Sequence, residues 1–158
     1  MEELKIDSGI KKIAIKNEDD ELVCELKINV ADAETIDKFA KVINDLNNIS
    51  ARIDADVEEI QSTVKDINPS EEDEISEEDI AKAVDVNKIR VKYIKEIADK
   101  LDEIFGEGTI KAVYGDTIPD ELALVGFVEN IMPVMKKLFG KRLELSRKKY
   151  NSKRRGNR

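Results

Sequence analysis

The sequence predicts a mainly α protein with a small N-terminal β-hairpin (α+β), arranged as an antiparallel helical bundle with one long coiled-coil-like helix. Three observations carry this. From Ile36 to Ile67 apolar residues return every seven positions with no Gly or Pro among them, and from Lys12 to Val30 apolar and polar residues alternate on either side of a polar turn. The composition, 39% charged but only 4% aromatic, favours long amphipathic helices over a sandwich or barrel. At 158 residues and 41% hydrophobic content, the chain can bury one core.

The hairpin comes first. Ile13 and Ile15 share one face, and Leu22, Cys24, Leu26, Ile28 and Val30 alternate in the same way after the turn Asn17 to Glu21, giving strands at about 12–17 and 22–30. Leu4 and Ile6 offer a short third strand ahead of Ser8–Gly9. A two-stranded hairpin is marginal in water, so its apolar face needs a helix to lie on. Cys24 belongs to that inward face, which favours a buried structural thiol over a reactive one.

A helix over about 33–67 follows, with Asp32 as N-cap and Asn68–Pro69 as its stop. With Ile36 at position a of a heptad, the a row is Ile36, Ile43, Ser50, Val57 and Val64, and the d row is Phe39, Leu46, Ile53, Ile60 and Ile67. Ala40, Val42 and Ile49 widen the stripe in the first half, whereas Asp54, Asp56, Gln61 and Thr63 narrow it in the second. A rod roughly 48 Å long requires a long partner. No matched Glu/Lys pairs specify a parallel dimer, so an antiparallel helix of the same chain is the expected one.

An acidic linker over 69–78 comes next, with seven acidic residues between Ser70 and Asp79 and no calcium-loop spacing. Ser76 and Asp79 form a capping box for a helix over about 78–105, whose apolar stripe from Ile80 to Phe105 is wide enough to touch two neighbours. Gly106, Gly108 and Gly115 bracket a short helical turn, Thr109 to Tyr114. The Gly-x-Gly follows no strand and lacks the lysine of a phosphate loop, so it reads as helix termination. A last helix over about 118–139, capped by Asp116 or Thr117, should bend at Pro133, which removes a backbone donor. Residues 1–140 thus make one domain, and 141–158 form a basic, partly disordered tail.

The net charge of −8 hides a division. From Lys136 to Arg158 eleven Lys/Arg face only Glu144, a net of +10 that leaves −18 for the rest. The cations Arg147, Lys148, Lys149, Lys153, Arg154 and Arg155, with Tyr150 among them, are candidates to bind an anionic partner, either nucleic acid or the acidic face of another copy. There is no His, which removes the commonest general base and transition-metal ligand, and nothing marks a cofactor or metal site, so an enzyme is not expected. One Cys excludes an internal disulfide, and the lack of a signal peptide or membrane-crossing run points to the cytoplasm, with no membrane partner.

The layout resembles the tail assembly chaperones of long-tailed (siphovirus-type) bacteriophages that infect Gram-positive bacteria. The likeness is carried by "DEIFGEGTIKAVYGDTIPDELALVGFVENIMPVM" from Asp102 to Met135 and by "RKKYNSKRRG" from Arg147 to Gly156, behind an N-terminal hairpin and an acidic helix. It covers the two ends better than the middle and brings no catalytic or ligand signature. The resemblance implies a non-enzymatic protein of the host cytoplasm that binds the tape measure protein, keeps its helical segments soluble and helps recruit tail tube subunits. Such proteins are often made in two lengths by ribosomal frameshifting. The candidates to meet a helical client, where the chain's own helices leave them uncovered, are Ile53, Val57, Ile60 and Val64 of the long seam, or Met132 and Met135, whose flexible side chains adapt to varied partners.

Overall fold

The computed structural model describes residues 1–63 and 76–156. Its elements run β1 (Ile10–Lys16), β2 (Leu22–Asn29), α1 (Thr35–Thr63), α2 (Glu77–Phe105), α3 (Thr109–Tyr114) and α4 (Glu121–Gly156). The architecture is the expected one: an antiparallel hairpin and a mainly helical body. None of the described helices is long and apolar enough to cross a membrane.

The hairpin closes on Asn17, whose side-chain oxygen accepts from the backbone N–H groups of Asp19 and Glu21, while Asp20 takes a positive φ of 62°. Ile13 pairs with Leu26 and Ile15 with Cys24 before an irregularity at Lys16, so the inward face carries the apolar set. Leu26 and Ile28 are fully buried, and β2 lies against α2 and α3. Leu4 and Ile6 form no strand and are exposed. Gly9 is the one glycine of the hairpin that the fold dictates: its φ is +74°, and an added Cβ would come within 2.4 Å of the Ala31 Cβ.

The long helix finds its partner within the chain. α1 and α2 run antiparallel, with Lys100 on Asp45 at 2.5 Å, Arg52 near Glu96 at 3.8 Å, and the Tyr93 hydroxyl donating to Asp56. The Arg52 guanidinium also sits 4.4 Å from the centre of the Tyr93 ring. The heptad period survives with its centre moved. Phe39, Val42, Leu46 and Ile49 are buried and Ile53 half-buried, so the covered rows are d and g instead of a and d. Val42 and Ile49 are larger and more apolar than Ser50, which tips the helix toward them. Of the a row, Ile36 is exposed and Ile43 half-buried, and both turn toward α4. Val64 and Ile67, the predicted stop at Asn68–Pro69 and most of the acidic linker lie outside the described residues, as does the side chain of Ile60.

α2 is the central element. The predicted capping box holds, with Ser76 accepting from the Asp79 N–H and Asp79 from the Ser76 N–H. At its other end Phe105 is 1% exposed and meets Phe39 of α1 edge-on at 6.2 Å and Phe127 of α4 edge-on at 5.7 Å. The Asp102 carboxylate then accepts from the N–H groups of Gly108 and Ile110, which fixes the start of α3. Gly106 and Gly108, with φ of 111° and 79°, make the turn that this requires.

Two expectations at the C-terminal end are corrected. α4 is capped by Asp120, whose carboxylate accepts from Ala123 N–H, while Thr117 donates to the Tyr114 carbonyl instead of capping. The helix also does not end at 139. It continues through Pro133 and Gly140 to Gly156, so residues 141–156 of the tail predicted to be partly disordered are helical. Gly140 keeps helical backbone angles, and good helix formers follow it, so one glycine costs too little to end the helix.

The Arg90 guanidinium clasps the Glu121 carboxylate with two parallel hydrogen bonds, tying α2 to the first turn of α4. Those hydrogen bonds hold the Glu121 carboxyl below its ordinary value of roughly 4.3. A lowered folded-state pKa stabilises the fold above the unfolded value, and the contribution disappears as pH falls through the folded one. With both side chains partly exposed, it amounts to about 0.5–1 kcal/mol. Acid titration of stability should therefore be shallower in Glu121→Gln than in wild type below about pH 4.3, with Asp7 and Asp79, also lowered, contributing equally to both. Phe105→Ala should cost about 3–5 kcal/mol by urea unfolding. Leu122→Ala, at an exposed position, should stay within about 0.5 kcal/mol.

Candidate client groove and basic helix

α4 crosses the start of α1 and leaves an open groove of about 270 Å³ between them. Its lining comes from both helices: Ile36, Phe39, Ala40 and Ile43 from α1, and Met132, Met135, Lys136 and Phe139 from α4. Lys136 is the single charged residue among them. Met132 and Phe139 follow Val128 at helical spacing, so one face of α4 enters the core at Val128 and Met135 and opens into the groove at Met132 and Phe139. A larger cleft of about 480 Å³ separates β1 from α3 and α4, but Lys16 and Asn130 give it a more polar wall.

The structure divides the residues predicted to meet a client. Met132 is half-buried in the groove, whereas Met135 is 4% exposed and serves the core as much as the groove. Ile53 and Val57 are half-buried on the half of α1 that runs alongside α2, away from the two methionines. They do not share a surface with Met132. Ile36, Ile43 and Phe139 complete the groove instead. The wide first half of the α1 stripe was their sequence signal, since a stripe too wide for one partner has to serve a second neighbour.

The candidates for an anionic partner stand together on the far end of α4. Arg147, Lys148, Lys149, Tyr150, Lys153, Arg154 and Arg155 are all exposed on continuous helix. The helical turns from Lys141 to Gly156 hold eight Lys/Arg against Glu144. At the root of this segment Arg142 approaches Asp7 to 3.7 Å. The Asp7 carboxyl is held below its ordinary range first by the Gly9 N–H, then by Lys11, with Arg142 a smaller contributor. Leu143 and Tyr150, seven residues apart, continue the groove face of α4 beyond the body, and both are exposed.

Burial shifts two side chains that carry chemistry in other proteins. Cys24 is half-buried on the inward hairpin face, less covered than expected, and that partial burial raises its thiol. Tyr114 is also raised by burial and donates to the Ala123 carbonyl, joining α3 to α4.

These features define a mainly helical α+β protein with an open apolar groove and a cationic helical end. The chain belongs to the family of unknown function DUF6673, whose model matches residues 23–158, from β2 through the basic end. No curated protein and no solved structure matches it.

Because a methyl at Gly140 would meet nothing within 4 Å, Gly140→Ala should stabilise α4 by about 0.5–1 kcal/mol. Amide exchange across 141–150 should slow in the variant, and unchanged exchange there would contradict a helix running through this position.

Proposed function

We propose that this protein is a non-enzymatic phage tail assembly chaperone, one that holds amphipathic helical segments of the tape measure protein soluble and helps recruit tail tube subunits. The observation that carries the reading is the groove between α1 and α4. It is open, and it is lined almost wholly by apolar side chains, two of them methionines. A groove of this kind suits a client helix that presents residues at i, i+3 and i+4.

The magnitudes favour transient holding. Each Leu-sized anchor moved from water into the groove contributes about 1.5–3 kcal/mol, while association costs about 4–15 kcal/mol in lost freedom. Two or three anchors, about 3–9 kcal/mol together, at best slightly exceed that cost, so a client is held weakly and released, as a factor absent from the finished tail must release it. The acidic remainder of the chain, at −18, keeps such a complex soluble by like-charge repulsion. The resemblance of residues 102–135 and 147–156 to the phage chaperones supports the identity of the client.

A second reading, nucleic-acid binding through the basic end of α4, draws on the exposed cations around Tyr150. The acidic remainder opposes a duplex extending past that helix, which makes it the lesser reading.

Co-expression with the tape measure protein of the same phage tests the chaperone reading. Wild type should keep that protein in the soluble fraction. Ile36→Glu with Met132→Glu, at exposed and half-buried positions, should preserve the fold and lose most of the rescue. Tyr150→Ser should retain it. Absence of rescue by wild type, or equal rescue by the double variant, would contradict the reading.

A further inference from the structure

Two exposed amphipathic surfaces of opposite charge lie at opposite poles of this molecule. One is the end of α4, where Leu143 (54% exposed) and Tyr150 (67%) share a face bordered by Arg147, Lys153 and Arg154. The other is the start of α2, where Ile80 (52%) and Val84 (47%), one helical turn apart, sit beside Glu77, Glu78 and Asp85. Lys82 and Lys88 offset part of that acidity, Lys88 by pairing with Asp85 at 3.8 Å, which leaves Glu77 and Glu78, among the described residues, as the free carboxylates of the face.

The fold prevents the two from meeting within one chain. Along the antiparallel pair, Asp45 meets Lys100 and Asp56 meets Tyr93, so the start of α2 lies beyond the Asp56 level of α1. It stands about 37 Å along the helix from Phe105. α4 heads the other way. Glu121 meets Arg90, Phe127 meets Phe105 near the end of α2, and Met135 then lies beside Phe39 near the start of α1. Residues 143–156 project about 20 Å further in that direction.

We infer that the basic end of α4 docks on the acidic start of α2 in a second copy of this chain, giving open head-to-tail oligomers. The contact is heterologous: each copy offers one α4 end and one α2 start, and using either leaves the other free, so growth is not limited to two. Neither face is large, and its attraction is that of exposed charges reinforced by two apolar side chains on each helix. Salt must therefore weaken it, because at about 1 M the Debye length falls to ~3 Å. The inference is independent of the client groove, which uses other residues.

Sedimentation velocity on the full chain tests it. At low salt the weight-average mass of wild type should rise with concentration from 17.9 kDa past that of two copies, and about 1 M salt should return it to 17.9 kDa. Two variants confined to exposed positions separate the faces: Arg147→Gln with Tyr150→Ser on α4, and Glu77→Gln with Ile80→Ser on α2. Each alone should associate about tenfold or more weakly, with an unchanged far-UV circular dichroism spectrum. Mixed in equal amounts they retain one intact α4 end and one intact α2 start, and should form a complex that stops at two copies. A wild type that stays at 17.9 kDa at low salt, including one that binds DNA as a monomer, would overturn the inference. So would a variant that associates like wild type, or a mixture that forms no complex.

Discussion

The edge-on contacts of Phe105 with Phe39 and Phe127 are the constraint on which the rest of the structure depends. Three helices far apart in sequence have one buried ring in common. The contact fixes where α4 crosses α1. It therefore fixes the groove, because Ile36 and Met132 can flank an opening only while Phe39 and Phe127 hold their helices at that spacing. The Arg90–Glu121 clasp then sets the direction in which α4 leaves the body.

Much of this was legible in the sequence, and the part that was not follows a pattern. Alternation at Ile13, Ile15, Leu26 and Ile28 gave the hairpin and its inward face, because a period of two leaves no choice of side. The capping box at Ser76 and Asp79 was readable for a similar reason: a local hydrogen-bond pattern needs no distant partner. The heptad of α1 was right in period and wrong in phase. Spacing alone states that a stripe exists, whereas its centre depends on which neighbours arrive, and here α2 takes Val42 and Ile49 while α4 takes Ile36 and Ile43. Ile53 and Val57 are half-buried on the half of α1 that runs alongside α2, while Met132 lies in the groove with α4.

The basic end was misjudged in order but not in character. Its polar composition suggested disorder, but Lys, Arg, Glu and Leu are also good helix formers, and a helix already begun at Asp120 extends through them without a new nucleation cost. Helicity changes what the charges can do. Scattered on a coil they would form a diffuse cationic cloud; on α4 they flank Leu143 and Tyr150 on a defined face. α4 is thus divided along its length, with the first half building the core and groove and the second half carrying charge away from an acidic body.

The groove is open at Met132 and closed at Met135. The three methionines make this directly measurable, since Met1 is fully exposed, Met132 half-buried and Met135 nearly inaccessible. With methyl-labelled methionine and a soluble paramagnetic agent, the three methyl signals should broaden in the order Met1, Met132, Met135. A Met132 signal as protected as that of Met135 would mean that α4 lies flat on α1, and the groove with everything argued from it would be gone.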